Sequence, residues 1–231
     1  MGERIIKSAE RVKNHGEVFT PREIVDLMLD QPEITTKVND LHATFLEPAA
    51  GEGAFLTELL IRKMDVALKR SDDAASFGTN CLIGLSTLYG IEILEDNVEA
   101  LVMNMNDTFR DYYHEIMKDK FDEQPSSKVL KSAKIIIKAN MAQGDTLKRI
   151  TSDGSPIIFS EWTPVTGKKD CVQRTKHTFD EIVEEADDSH SRTKSEQLDL
   201  FDMGDVSHAT NMPQYAPCKW EDIYKEQLVS A

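Results

Sequence analysis

The sequence predicts an α/β protein built on an open, mostly parallel sheet, and three observations carry that expectation. Thr44-Phe45-Leu46-Glu47-Pro48-Ala49-Ala50-Gly51-Glu52-Gly53-Ala54-Phe55-Leu56 reads as an apolar strand, a tight turn and a helix. Its two glycines stand where a ligand must approach the backbone closely. Thr87 to Leu94 repeats the strand pattern, an apolar run that reaches an acid at Glu92 before helical periodicity resumes. Thr20 with Glu23, and Asp96 with Glu99, have the spacing of capping boxes at helix starts. Strands alternating with helices give a parallel sheet whose ligands bind at the strand C-termini.

Taken in order, residues 4–14 alternate charge with Ile5, Ile6, Ala9 and Val12 at helical spacing. After His15-Gly16, Pro21 suits a first helical position, and Ile24, Val25, Leu27 and Met28 supply a buried face. The helix following the glycine turn runs through Leu59, Leu60 and Met64 to about Lys69, and Ser71–Asn80 reads as an exposed loop. Val98, Leu101, Val102 and Met105 mark a long helix after Glu92. Ala133–Ala139, with Ile135-Ile136-Ile137 at its centre, reads as a third strand, and Ser155–Phe159 as a fourth. Cys171-Val172 suggests one further strand. Asp180–Asp205 is strongly acidic and reads as solvated and disordered, and Trp220–Leu228 as a short helix.

With 231 residues, the chain can bury one sizeable core with a modest appendage. A formal net charge of −14 is unusual for a protein that grips DNA by itself, because phosphate contacts demand a basic face. Cys81, Cys171 and Cys218 are widely spaced and suit free thiols; no metal-ligand spacing appears. The amphipathic N-terminus and the lack of a long apolar run lead us to expect a cytoplasmic protein without membrane contact.

The acidic-Pro-Ala-x-Gly-x-Gly string at 47–53 resembles the cofactor-binding turn of the S-adenosylmethionine-dependent DNA adenine-N6 methyltransferases of restriction-modification systems. Phe19-Thr20-Pro21 and Gly90-Ile91-Glu92 match further family elements. The resemblance implies a truncated, doubly wound, Rossmann-like fold over residues 39–165. A helical cap would span residues 1–38, and a mostly irregular acidic tail residues 166–231. It implies a cofactor site of Phe19, Thr20, Pro21, Glu47, Pro48, Ala49, Gly51, Gly53, Glu92, Ile93 and Asp145. Glu92 would hold the ribose hydroxyls, Asp145 the adenine amine, and Phe19 would cover the cofactor. The family's catalytic tetrapeptide (Asn, Asp or Ser, then Pro-Pro and an aromatic) occurs nowhere in this chain. At its place stands Ser160-Glu161-Trp162, where Ser160 or Glu161 can accept a hydrogen bond. Trp162 can stack on a flipped base or close the edge of the core.

Gln197-Leu198-Asp199-Leu200-Phe201 resembles the short peptide by which bacterial replication and repair proteins dock on the sliding clamp. Three functions are open on this reading. One is an adenine-N6 methyltransferase completed by a second methyltransferase or specificity subunit, with DNA contacted through that partner. Another is a catalytically silent, cofactor-binding regulatory or anti-restriction subunit. The last is a clamp-docking adaptor in which the nucleotide fold is only a scaffold.

Overall fold

The structure, a computed structural model, describes residues 7–15, 18, 20–168, 170–190 and 212–229. Helices α1 (Ala9–His15), α2 (Arg22–Leu29) and α3 (Pro32–Val38) lead into strand β1 (Phe45–Glu47). Helices α4 (Ala54–Lys69) and α5 (Ala74–Ser86) precede β2 (Leu88–Glu92); α6 (Glu95–Phe121) and α7 (Ser127–Asn140) precede β3 (Met141–Gln143). The three strands are parallel in the order β1-β2-β3, each connection carrying two helices. The protein is therefore mixed α/β around a parallel sheet, and no described helix is long and apolar enough to cross a membrane. Among the described residues β1 has a neighbour on one side only.

The second half does not extend that sheet. Strands β4 (Ile158–Pro164), β5 (Cys171–Thr178) and β6 (Cys218–Lys219) form a separate antiparallel sheet, followed by a 3-10 helix at Trp220–Lys225. Helix α8 (Phe179–His190) continues directly from β5. Residues from 166 on thus contribute ordered elements where a mostly irregular tail is expected, and α8 occupies the first part of the acidic run. The 3-10 helix packs on α7, burying Trp220 and Ile223.

Two apolar clusters hold these layers. The larger joins Leu56 and Leu60 of α4, Phe77 and Leu82 of α5, Leu101 and Phe109 of α6 and Ile136 and Ile137 of α7. The smaller joins Tyr89 and Ile91 of β2 to Ile157, Phe159, Phe179 and Ile182. Strand β2 is buried at all five residues, with Leu88 facing the larger cluster and Tyr89 and Ile91 the smaller. Tyr89 meets Phe159 edge-on at 5.4 Å between centroids, and its hydroxyl donates to Ser160 O at 2.9 Å. Asn140, fully buried, donates to Ser86 O and Leu88 O and so locks the end of α7 to the start of β2.

Several local expectations are corrected. Residues 133–139 are helical: Val129, Ala133, Ile136, Ile137 and Asn140 share the buried face of α7, and the third strand is Met141–Gln143. Ser71–Asn80 is not one loop, because the Asp73 side chain accepts from Ser76 N at 2.7 Å and caps α5 in a reciprocal box. Neither expected capping box forms. Helix α2 starts after Pro21 with no side-chain cap, and α6 starts after Leu94, with Asp96 turned to basic partners on the N-terminal segment.

Candidate cofactor site

The parallel sheet brings Glu47, Glu92 and the turn after Gln143 to one edge, since all three strands end in the same direction. Between Glu47 and α4 the chain turns through Gly51 (φ 54°) and Gly53 (φ 91°), both left-handed. A Cβ on Gly53 would lie 2.5 Å from Leu101 Cδ1, whereas one on Gly51 would meet nothing within 4 Å. Gly53 is thus required by packing. Gly51 faces open space and leaves room for a ligand beside the backbone.

Glu92 ties the turn to the second strand. Its Oε2 accepts from Gly51 N at 2.8 Å, its Oε1 from Leu94 N at 2.9 Å, and the residue is only 7% exposed. Thr146 Oγ1 donates to Pro48 O at 2.6 Å, and Gln143 Nε2 to Ile93 O at 2.8 Å, so the β3 turn closes against the ends of β1 and β2. Helix α4 begins with no side-chain cap, leaving its first N–H groups to solvent or to an anionic ligand group.

A cavity of about 610 Å³ opens beside this turn, a volume suited to a small-molecule site. Val18, Thr20, Pro21 and Met28 form one wall, Glu47, Ala49 and Gly51 the floor, and Asn104, Asp107 and Asp111 of α6 the far wall. Burial pushes the Glu47 carboxyl up, against the lowering effect of the Ala49 N–H. Glu52, Asp107 and Asp111 also line it; Glu52 pairs with Lys7 at 2.7 Å, and Arg110 pairs with Asp107 at 2.6 Å and with Asp111 at 2.8 Å.

The structure therefore gathers Thr20, Pro21, Glu47, Ala49 and Gly51 around one cavity; Pro48, Gly53, Glu92, Ile93 and Asp145 do not line it, Glu92 being bonded to Gly51 behind the turn and Gly53 standing at the root of α4. Phe19 lies outside the described residues. Asp145 is engaged by its own turn: its carboxylate accepts from Leu147 N and Lys148 N and pairs with Lys148 Nζ at 2.9 Å. Lys148 holds that carboxyl below its usual range. Beside it stand two apolar side chains at the strand ends, Ile93 (49% exposed) and Leu147 (95% exposed). Leu147, Thr146 and Gln143 escape the sequence reading; the usable signal is a bare leucine inside the polar turn Asp145-Thr146-Leu147-Lys148.

Ser160, Glu161 and Trp162 do not line the cavity. They sit on β4, where Ser160 is 2% exposed and its Oγ accepts from Arg174 Nε at 2.9 Å. Trp162 is buried, its Nε1 donates to Asn140 Oδ1 at 3.0 Å, and the Arg174 guanidinium stacks 5.0 Å above its ring. Glu161 Oε2 accepts from Thr175 Oγ1 and faces His177 Nε2 at 3.2 Å. Of the two roles open to Trp162, the structure supplies the closing of the core edge. Residues 197–201 lie outside the described residues, between α8 and the anchored stretch 212–229.

Compared with protein-family models, with curated proteins and with solved structures, the chain finds no match in any of the three.

Proposed function

We propose that this chain is an S-adenosylmethionine-binding, adenine-N6-methyltransferase-like protein whose cofactor half is formed and whose methyl-transfer half depends on another chain. The observation that carries the reading is the Glu92 carboxylate bonded to Gly51 N beside an acid-lined cavity at the ends of parallel strands. On this reading the sheet is one half of a doubly wound fold, with ligand across the C-termini of β1 and β2. When bound, the cofactor supplies a methyl group on a cationic sulfur, ready for displacement by an amine.

The chain's own groups suit that cargo. Glu47, ionised by the approach of a cation, offers negative charge to the sulfonium or ammonium, Asp107 and Asp111 share theirs with Arg110, and the start of α4 offers N–H groups to the carboxylate. Glu92 keeps lone pairs beyond its bonds from Gly51 N, Leu94 N and Asn97 Nδ2 for a ribose hydroxyl, and Ile93 and Leu147, exposed at the strand ends outside the cavity lining, offer apolar surface to an adenine that extends past it. Asp145, tied into its turn, makes a weaker adenine reader than the family resemblance implies. No described group near the cavity repeats the family's paired prolines and aromatic, so adenine methylation by the chain alone is expected to be weak or absent.

Calorimetric titration with S-adenosylmethionine tests the reading. Saturable binding that is lost in Glu92→Ala and Gly51→Asn supports it, and no binding by the parent chain refutes it. Labelled methyl transfer to DNA, with and without products of neighbouring genes, then separates an enzyme awaiting its partner from a silent regulatory subunit. We also propose sliding-clamp docking for Gln197–Phe201, on the pentapeptide and its acidic setting. A clamp titration in which Leu200→Ala/Phe201→Ala binds as well as the parent removes that idea.

A further inference from the structure

Helix α2 is apolar on two faces. Val25 and Leu29 are buried, at 1% and 0% exposure, where the helix packs on α4. Ile24, Leu27 and Met28, spaced as one stripe, are 45%, 66% and 42% exposed, and Val18 just before the helix is 57% exposed. A single exposed leucine means nothing, but these four lie within eleven residues of chain. The stripe also runs into the lip of the cofactor cavity, which Val18 and Met28 help to line.

Acidic residues flank the stripe on both sides. Along α2, Glu23, Asp26 and Asp30 follow one another at helical spacing beside Ile24 and Leu27. Across the cavity lip stand Asp107 and Asp111 of α6, both paired with Arg110. Arg22 and Arg62 answer Asp26, and Arg62 also answers Asp30. Even so, the carboxylates of this face, Glu23, Asp26, Asp30, Glu33, Asp107 and Asp111, outnumber its cations, Arg22, Lys37, Arg62 and Arg110.

We infer that this face docks a basic amphipathic helix of a partner protein, whose apolar side covers Ile24, Leu27 and Met28 while its lysines or arginines meet the flanking carboxylates. Charge selects this occupant over the others. A second copy docked about a two-fold axis would set the same acidic rows against each other, in chains that each carry −14. The chain's own stretch 191–211 brings Glu196, Asp199, Asp202 and Asp205 against Arg192 and Lys194. Nucleic acid is a polyanion and is repelled. A cationic helix laid along an apolar stripe satisfies both the burial and the charge. The inference goes beyond the cofactor reading, and its test contains no cofactor, so either can fail alone.

The probe is a fluorescein-labelled fourteen-residue peptide of leucine and lysine in an amphipathic helical pattern, titrated into the full chain by anisotropy at low and moderate salt. The same pattern with glutamate for lysine is the control, and Ile24→Asp/Leu27→Asp is the variant. The expected result is saturable binding of the lysine peptide, none of the glutamate peptide, and at least a tenfold loss in the variant at unchanged melting temperature. Absence of lysine-peptide binding, or equal binding by the variant, overturns the inference. A concentration-dependent dimer that the variant abolishes overturns it in favour of a second copy. A melting temperature several degrees lower in the variant overturns it too, because the chain's own residues, such as 1–6 or 191–211, would then cover the face.

Discussion

Two regions of this molecule hold carboxylates, hydroxyls and aromatics at strand positions, and they use them differently. At the ends of β1 and β2, polar groups are arranged around empty space: Glu47 lines the cavity, Gly51 faces nothing within 4 Å, and α4 starts uncapped. On β4, Ser160 and Trp162 are buried and bonded on every side that matters, to Arg174, Tyr89 and Asn140. Similar residue types therefore form a receptive site in one place and a closed core in the other. A buried polar network whose members all have partners fixes a fold and offers nothing to a ligand. A ligand site keeps acceptors in reserve.

The largest expected effect tests the closed region. Trp162→Ala removes a buried ring and leaves Asn140 Oδ1 without its donor, so it should destabilise the chain by about 3–5 kcal/mol. Trp162→Phe keeps most of the volume and should cost about 1–3 kcal/mol through the orphaned acceptor. Denaturant unfolding measures both. On the proposed reading, calorimetry on Trp162→Phe, at a temperature where it is folded, should show the parent's S-adenosylmethionine affinity; a large loss there would move Trp162 into the proposed site.

The two turn glycines sharpen the contrast within the receptive region. Gly53→Ala forces a Cβ to within 2.5 Å of Leu101 Cδ1 at a φ of 91°, and should cost about 1–3 kcal/mol of stability. Gly51→Asn places a side chain that tolerates left-handed backbone into open space, costing about 1 kcal/mol at most. On the proposed reading it should nonetheless abolish S-adenosylmethionine binding, because it fills the cavity floor. Thermal melts and titrations on the pair should separate packing from ligand access; if Gly51→Asn binds as tightly as the parent, the cavity is not the ligand site.

Glu47 gives the receptive region a pH signature. Burial raises its carboxyl in the folded chain, so its contribution to stability is greatest below the ordinary carboxylate range. That contribution is lost as pH rises through the raised value. A cationic ligand reverses the preference by favouring the ionised form. If the chain binds S-adenosylmethionine as proposed, its affinity should therefore fall as pH drops through that raised value, with protons released on binding. Glu47→Gln should flatten the profile; a parent affinity that does not change over this range would separate Glu47 from the ligand.

How far the sequence led differs between the same two regions. The glycine turn and Glu92 are legible because their chemistry is local: a strand ends, a left-handed turn follows, and an acid closes the next strand. The third strand is not. Ile135-Ile136-Ile137 has strand composition, yet α7 buries Ile136 and Ile137 and leaves Ile135 half-covered, so tertiary packing decides against β propensity. Met141-Ala142-Gln143 is too short and too mixed to read as a strand at all. Trp162 could be assigned to a base or to the core only once Asn140, from another element, was seen beneath it. Ser71–Asn80 reads as loop because Asp73 and Ser76 are good turn residues, and the same chemistry makes them a helix cap.

The smallest expected effect concerns the segment that spans the receptive region. Arg11 holds Asp96 through both guanidinium nitrogens, at 2.7 and 3.1 Å, and Lys7 reaches Asp96 at 3.2 Å and Glu52 at 2.7 Å. Glu52 belongs to the glycine turn and Asp96 to the start of α6, so Lys7, just before α1, bridges the two while Arg11 ties α1 to Asp96. Hydrogen bonding from Arg11 pushes the Asp96 carboxyl down to about 2. A carboxyl depressed in the fold adds stability above its ordinary range and loses it as pH falls through the depressed value. The stability difference between the parent and Asp96→Asn should accordingly shrink to nothing between about pH 4 and pH 2. It should be small even at neutral pH, because the Asp96 side chain is 54% exposed and solvent and salt screen the pair. Amide exchange is the more sensitive reading. In Asp96→Asn the α1 amides, 9–15, should exchange faster and lose their dependence on salt, while those of α4 to α7 keep their protection. Exchange in α1 that matches the parent at every salt concentration would mean that the ionic contacts do not hold α1 in place, and that access to the crevice is set elsewhere.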